Sequence, residues 1–392
     1  MRKIGAAERR ARLALRHRLA APSASVDAAT TGIVGLHSSD PASVYLSAWA
    51  RVAGFVPGDL EDALYGRRSL VRMLGMRRTL FVVTRDVAAV MDEACTKALA
   101  PPQRRRLVGM LEDQGVAPSG RGERWLRRVA AETLEALGRR EQATARELTK
   151  DVPDLGAKLV FGQGRTWAGT MGVSTRVLFL LASEGQILRA RPLGSWMSGQ
   201  YRWARTEDWL GGPLPSLDHA DASADLLGRY LRGFGPVTLT DVRWWTGWTV
   251  RLATRTLEAL GAVEVALDEG TGYVLPDDLR TVAKPGRWVA LLPGLDPTVM
   301  GWKERDWYLG EHAPALFDRN GNAGPTVWVD GRVVGGWTQR ESGEIAVELL
   351  EPVDARTRKA LDAERERLRA WLGDARIKPR FRTPIEQALA ER

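Results

Sequence analysis

The chain is 392 residues long, 44% hydrophobic and 27% charged, with a formal net charge of +9 and a pI near 10. That length exceeds one simple core and calls for two to four modules, while the basic balance favours a polyanionic partner, either nucleic acid or an anionic membrane face. A single cysteine, Cys95, excludes an intrachain disulfide and a cysteine-cluster metal site and fits a reducing compartment; the four histidines are scattered without ligand spacing, so neither a metal nor a cofactor is expected.

The first twenty residues, MRKIGAAERRARLALRHRLA, follow a helical period over 6–19 and lack the continuous apolar stretch of a secretory signal. No apolar run approaches the length of a bilayer span, so the expected location is cytoplasmic and nucleoid-associated, with no membrane partner. The plain reading of this basic start is a solvated helix face; DNA or a membrane surface is the alternative.

A polar knot follows in GLHSSDPASVYLSAWARVAGF, which begins at Gly35. His37, Ser38, Ser39 and Asp40 sit between an apolar lead at 33–36 and an apolar helix from about 42. Asp40 before Pro41 is the pattern of an N-cap and first helical position. The same cap holds His37 and Ser39 at a helix mouth, and alternation along an extended segment points both to one side, toward one substrate. A hydrogen-bonded loop histidine and a capping serine are the plain alternatives. Helices are expected near 44–51, 59–66 and 86–99, with 72–83 as the strand portion.

Next comes a helix at 123–137, then a short helix capped by Thr144 within 142–150, and a third at 173–184 ended by Gly185. Segments 187–191 and 201–204 flank a tip carrying Trp196 and Met197, which either wedges into a groove or packs on a neighbour. The order recurs further on: helices at 222–231, from Thr238 through Trp245 and at 249–260, then alternating segments at 262–267 and 271–275 around Glu269 and Gly270. Three helices followed by a hairpin is the order of a winged helix. Beyond Pro285 strands are expected at 288–292, 326–329, 332–337 and 345–350, with Asp330-Gly331 as a two-residue hairpin turn. A charged helix at 355–372 and a basic tail at 376–382 close the chain.

The expected fold is α+β. It has three tandem winged-helix-like units, at 1–120 with the polar knot, 121–215 and 216–284, then a small β region with a terminal helix at 285–392.

Four blocks in order, GLHSSDPASVYLSAWAR, LVRMLGMRRTLFVV, LLPGLDPTVMGWKERD and GNAGPTVWVDGRVVGGW, resemble the winged-helix DNA glycosylase family that includes the azinomycin-resistance glycosylase and the bacterial interstrand-crosslink glycosylase. The resemblance spans residues 33–353. It implies a C-shaped array of winged helices around a basic channel for duplex DNA, and hydrolysis of the N-glycosidic bond of bulky or crosslinked N7-alkylguanine to leave an abasic site. The family's Gln-x-Gln signature falls on His37, Ser38 and Ser39, so both glutamines are replaced. The resemblance makes His37 and Ser39 the catalytic candidates, with Asp40 in support. N7 alkylation turns the base into a cationic leaving group, so the site must position water and stabilise an oxocarbenium-like sugar. Neutral His37 is then the acceptor for a water proton and Ser39 an orienting hydroxyl.

Where the family often has Met-Arg-Gly-Thr followed by Leu and His, this chain carries Arg78 for the glycine and Phe81 for the histidine. The DNA-binding candidates are Arg72, Arg77, Arg78, Lys303, Arg305 and Arg332, each a phosphate-attracting cation; a solvated strand edge is the alternative for the first three. The expected activity is that of a monofunctional DNA repair glycosylase, acting as a monomer on double-stranded DNA with bulky alkyl adducts, in natural-product genotoxin self-resistance. The alternative is a catalytically inactive winged-helix DNA-binding protein, a regulator or an adduct-binding shield.

Overall fold

Short β-branched and aromatic runs supply the strands. In chain order they are β1 (Arg2–Lys3), β2 (Leu36–His37), β3 (Leu70–Leu74), β4 (Leu80–Thr84), β5 (Lys158–Phe161), β6 (Gly169–Gly172), β7 (Ile187–Pro192), β8 (Tyr201–Arg205), β9 (Val263–Leu267), β10 (Gly270–Val274), β11 (Val289–Leu292), β12 (Thr326–Val329), β13 (Arg332–Gln339) and β14 (Ile345–Leu349). The computed structural model describes residues 1–391 apart from 163, 166, 167, 380 and 381, so part of the basic tail expected at 376–382 lies outside the described residues. The fold is mixed α+β, with four sheets among the described residues, ordered β2-β4-β3-β7-β8, β1-β9-β10, β11-β12-β13-β14 and β5-β6.

The five-stranded sheet joins strands from either side of residue 120, with Arg72 on β3 opposite Arg189 on β7. At the other end of the chain order, β1 pairs in parallel with β9. The helix Ala6–Arg16 follows it there: Arg9 pairs with Glu269, Arg12 lies 3.0 Å from Asp278, and Arg16 lies 2.6 Å from the same carboxylate. The basic face of this helix is therefore neutralised inside the molecule rather than left for DNA or a membrane. One buried apolar cluster runs from Leu13 to Leu389, and a second gathers Leu74 with side chains from Ala100 to Trp203.

Residues 72–83, expected as one strand portion, form the β3–β4 hairpin with a turn at Met76–Arg78. Arg77 and Arg78 both take left-handed backbone angles there, φ 52° and 63°, a conformation that costs a non-glycine residue roughly 1–2 kcal/mol. Past residue 91 the chain continues as a π-helical turn at Asp92–Thr96 and then the helix Ala100–Asp113. Pro101 and Pro102 sit in that helix's first turn, where proline's missing N–H costs nothing. The tip at Trp196 packs on the interior, 4.9 Å from the Tyr45 ring and 5.7 Å from that of Trp371. No helix among the described residues is long and apolar enough to cross a membrane.

Candidate active site and nucleic-acid interface

The His37 loop is shaped by its neighbours on the sheet. A Cβ on Gly35 would lie 2.7 Å from Val83 Cγ1, so only glycine lets the chain come this close to β4. His37 then pairs with Phe81 in register, their rings meeting edge-on at 5.6 Å. Strand β2 ends at His37 and the chain bends at Ser39. The Ser39 N–H donates to His37 Nδ1 at 3.5 Å, which leaves the ring proton on Nε2 when the imidazole is neutral. Burial, and next the charge of Arg77, push the His37 pKa down to about 3. The ring is neutral at physiological pH, yet with so acidic a conjugate acid it is a weak proton acceptor and a better hydrogen-bond donor to water. Ser38 is buried and donates its N–H to Leu80 O at 2.7 Å. Asp40 caps the helix Pro41–Trp49, accepting the Ala42 N–H at 3.0 Å.

His37, Arg77, Lys303 and Arg305 line one cavity of about 470 Å³ together with Trp244 and Phe317. The Arg305 guanidinium lies 5.2 Å from the Trp244 ring centre and 4.8 Å from that of Phe317, and Arg77 stacks on the same indole. None of Arg77, Lys303 and Arg305 makes a salt bridge among the described residues, whereas surface arginines such as Arg232 and Arg287 pair with Asp277 and Asp354. Among the described residues Asp306 is the one carboxylate on this lining, so three cations face one anion and the cavity wall is net positive, a surface that attracts anions.

Two buried carboxylates hold this wall. Asp241, in a capping box with Thr238, accepts the N–H groups of Lys303 and Glu304 at 2.7 and 2.9 Å. Burial raises the Asp241 pKa, against the pull of these bonds. Asp296 is bound by Arg51 at 2.6 and 2.8 Å and by the Ser47 hydroxyl at 2.7 Å, with both charged groups fully buried. Burial raises the Asp296 pKa, but Arg51 together with the Ser47 hydroxyl and the Thr298 N–H outweighs it and holds the carboxyl below its ordinary range. This pair ties the helix Pro41–Trp49, and so the His37 loop, to the segment leading into Lys303.

The remaining candidates fall elsewhere. Ser39 and Arg78 line a separate cavity of about 430 Å³. The expectation that His37 and Ser39 face one side assumed extended backbone through Ser39, and the bend there turns the two side chains apart. Arg72, expected as a channel cation, is 1% exposed; it donates to Tyr65 Oη at 2.9 Å and stacks 4.6 Å from the Tyr201 ring, so it does not meet a phosphate at the surface. Being third of five residues in a central strand, it points into the interior. Arg332 is exposed, lines neither cavity and pairs with Glu351 at 2.6 Å. Trp244 was not among the expected site residues. Its signal is the Trp244-Trp245 pair: Trp245 is buried and stacks on Tyr230 at 4.3 Å, and adjacent helix positions diverge by about 100°, so its neighbour faces outward.

Among solved structures, the Streptomyces sahachiroi DNA glycosylase AlkZ has a similar fold, with a TM-score of 0.71 at 21% identity over 96% of this chain and 98% of that one. No curated protein matches the chain. The family model described as DNA glycosylase AlkZ-like matches residues 30–371, and with this match over most of its length the chain belongs to the AlkZ-like DNA glycosylase family.

Proposed function

We propose that this protein is a monofunctional repair glycosylase that removes bulky or crosslinked N7-alkylguanine from duplex DNA, in self-resistance to a natural-product genotoxin. In this reading the segments 1–120, 121–215 and 216–284 act as winged-helix units around a C-shaped channel. The observation that carries it is the single cavity in which His37 stands beside Arg77, Lys303 and Arg305, three cations that outnumber the one carboxylate on its lining, Asp306, and make no salt bridge among the described residues.

The chemistry follows from charge. An N7-alkylated base leaves as a neutral group from a cationic nucleotide, so no acid need touch it. As the C1′–N9 bond opens, the sugar becomes oxocarbenium-like and water adds at C1′. The His37 Nε2–H donates to that water and leaves its second lone pair free for the sugar. With a pKa of about 3, His37 does not remove the proton first; after the C1′–O bond has formed, the protonated hydroxyl releases its proton to bulk water. Arg77, Lys303 and Arg305 hold flanking phosphates.

The test is incubation with duplex DNA carrying N7-alkylguanine, with alkali-labile abasic sites as the readout. Abasic sites from alkylated duplex alone, with no covalent product on borohydride trapping, support the monofunctional reading. Tight binding without abasic sites from any adduct sinks it. That outcome favours the inactive DNA-binding reading, to which the weak basicity of His37 and the replaced glutamines already lend support.

A further inference from the structure

On the other side of the Met76–Arg78 turn from His37 lies the cavity of about 430 Å³. Its volume falls in the range of roughly 300–1,000 Å³ typical of small-molecule pockets. The floor is apolar, built on buried Leu178 and Ala182. Its aromatic walls already stack on guanidinium groups: Arg78 lies 5.0 Å from the Phe179 ring centre and Arg189 lies 3.8 Å from that of Trp203. Arg78 and Arg176 make no salt bridge among the described residues. Burial, then repulsion from Arg106 and Arg78, hold the Arg176 guanidinium below its ordinary pKa.

An apolar floor between stacked rings takes a flat, apolar group, and Arg78 and Arg176 beside it, neither in a salt bridge among the described residues, take a polyanion that carries such a group. The connection to the reacting centre is covalent. Ser39 lines this cavity and His37 the other, so one short loop spans both.

We propose that this second cavity is a subsite for the planar, apolar substituent of an alkylated base, held across the Arg77-Arg78 turn from the sugar under attack. The proposal rests on the glycosylase reading and names the class of adduct it takes.

The experiment measures binding by fluorescence anisotropy and abasic-site yield on three duplexes: unmodified, N7-methylguanine, and guanine bearing a polycyclic aromatic group on N7. Thr175 is exposed on the helix Val173–Ser183 at the cavity edge, so Thr175→Trp closes the mouth from the surface; Phe179→Ala removes one wall. The wild type is expected to prefer the polycyclic over the methylated duplex by about tenfold, as aromatic stacking supplies, and the ratio falls toward one in each folded variant. A wild type without that preference, or variants that melt like wild type and keep it, overturns the subsite. Preference without abasic sites removes the hydrolytic reading and leaves the subsite standing. Abasic sites from both adducts at equal affinity do the reverse.

Discussion

The Arg77 guanidinium carbon lies 4.0 Å from the centre of the Trp244 ring. A cation held on an indole keeps its outer face for a second partner, and partial desolvation followed by repulsion from Arg305 lowers its pKa, so the charge of an arriving phosphate offsets both. Arg77→Ala should weaken duplex binding equally on all sequences and reduce the slope of log Kobs against log salt by about 0.9. Unchanged affinity and slope would show that Arg77 only packs on Trp244.

His37 stands to lose turnover rather than affinity. In His37→Ala the rate of abasic-site formation under single-turnover conditions should fall about 100-fold while affinity changes by less than about threefold. With the ring neutral above its pKa of about 3, wild-type turnover should show no ionisation of His37 between about pH 5 and 8. A rate inflection near pH 6.5 that vanishes in the variant would mean the ring titrates as an exposed histidine does.

The buried Arg51–Asp296 pair makes a stability prediction. Removing one partner strands the other charge, so Asp296→Ala should cost about 3–5 kcal/mol in urea unfolding. Replacing both, as Arg51→Met with Asp296→Leu, should recover most of that loss. If the double variant is no better than the single one, the hydrogen bonds to Ser47 and Thr298 outweigh the stranded charge.

Glu386 is 1% exposed, and burial raises its pKa to about 7 against hydrogen bonds from Thr383. A pKa raised on folding means stability that is complete below the unfolded value near 4.5 and lost as pH rises through about 7. Glu386→Gln should therefore gain on the wild type by a few kcal/mol, on the order of 3, between pH 5 and pH 8.5. His17 and His37, both lowered to about 3 chiefly by burial, act in the opposite sense: they destabilise the fold as pH falls from about 6.5 toward 3. A pH-independent difference between wild type and Glu386→Gln would place the carboxyl in water.

Local chemistry made much of the fold legible. Thr144 and Thr238 sit at helix starts because each has an acidic residue three positions on to complete a capping box, and Asp330-Gly331 adopts the positive φ angles, 48° and 86°, that a two-residue hairpin needs. The β3–β4 turn was hidden because Arg77 and Arg78 are not residues that announce left-handed backbone. The helix Ala100–Asp113 was hidden because two prolines at its start look like a break.

The sequence by itself determined most of the element types, the basic balance and the family, since caps, turns and ordered motif blocks act over a few residues or are matched position by position. Tertiary structure alone decided which cations share a cavity with His37. Arg72 and Arg77 are five residues apart, yet one is buried in a sheet joined across residue 120 and the other stands at a turn over Trp244. Lys303 and Arg305 are held at the same cavity by Asp241, and the segment leading to them by the Arg51–Asp296 pair. Strand alternation and charge assign a residue to a face of its own element; what that face meets depends on packing between elements far apart in the chain.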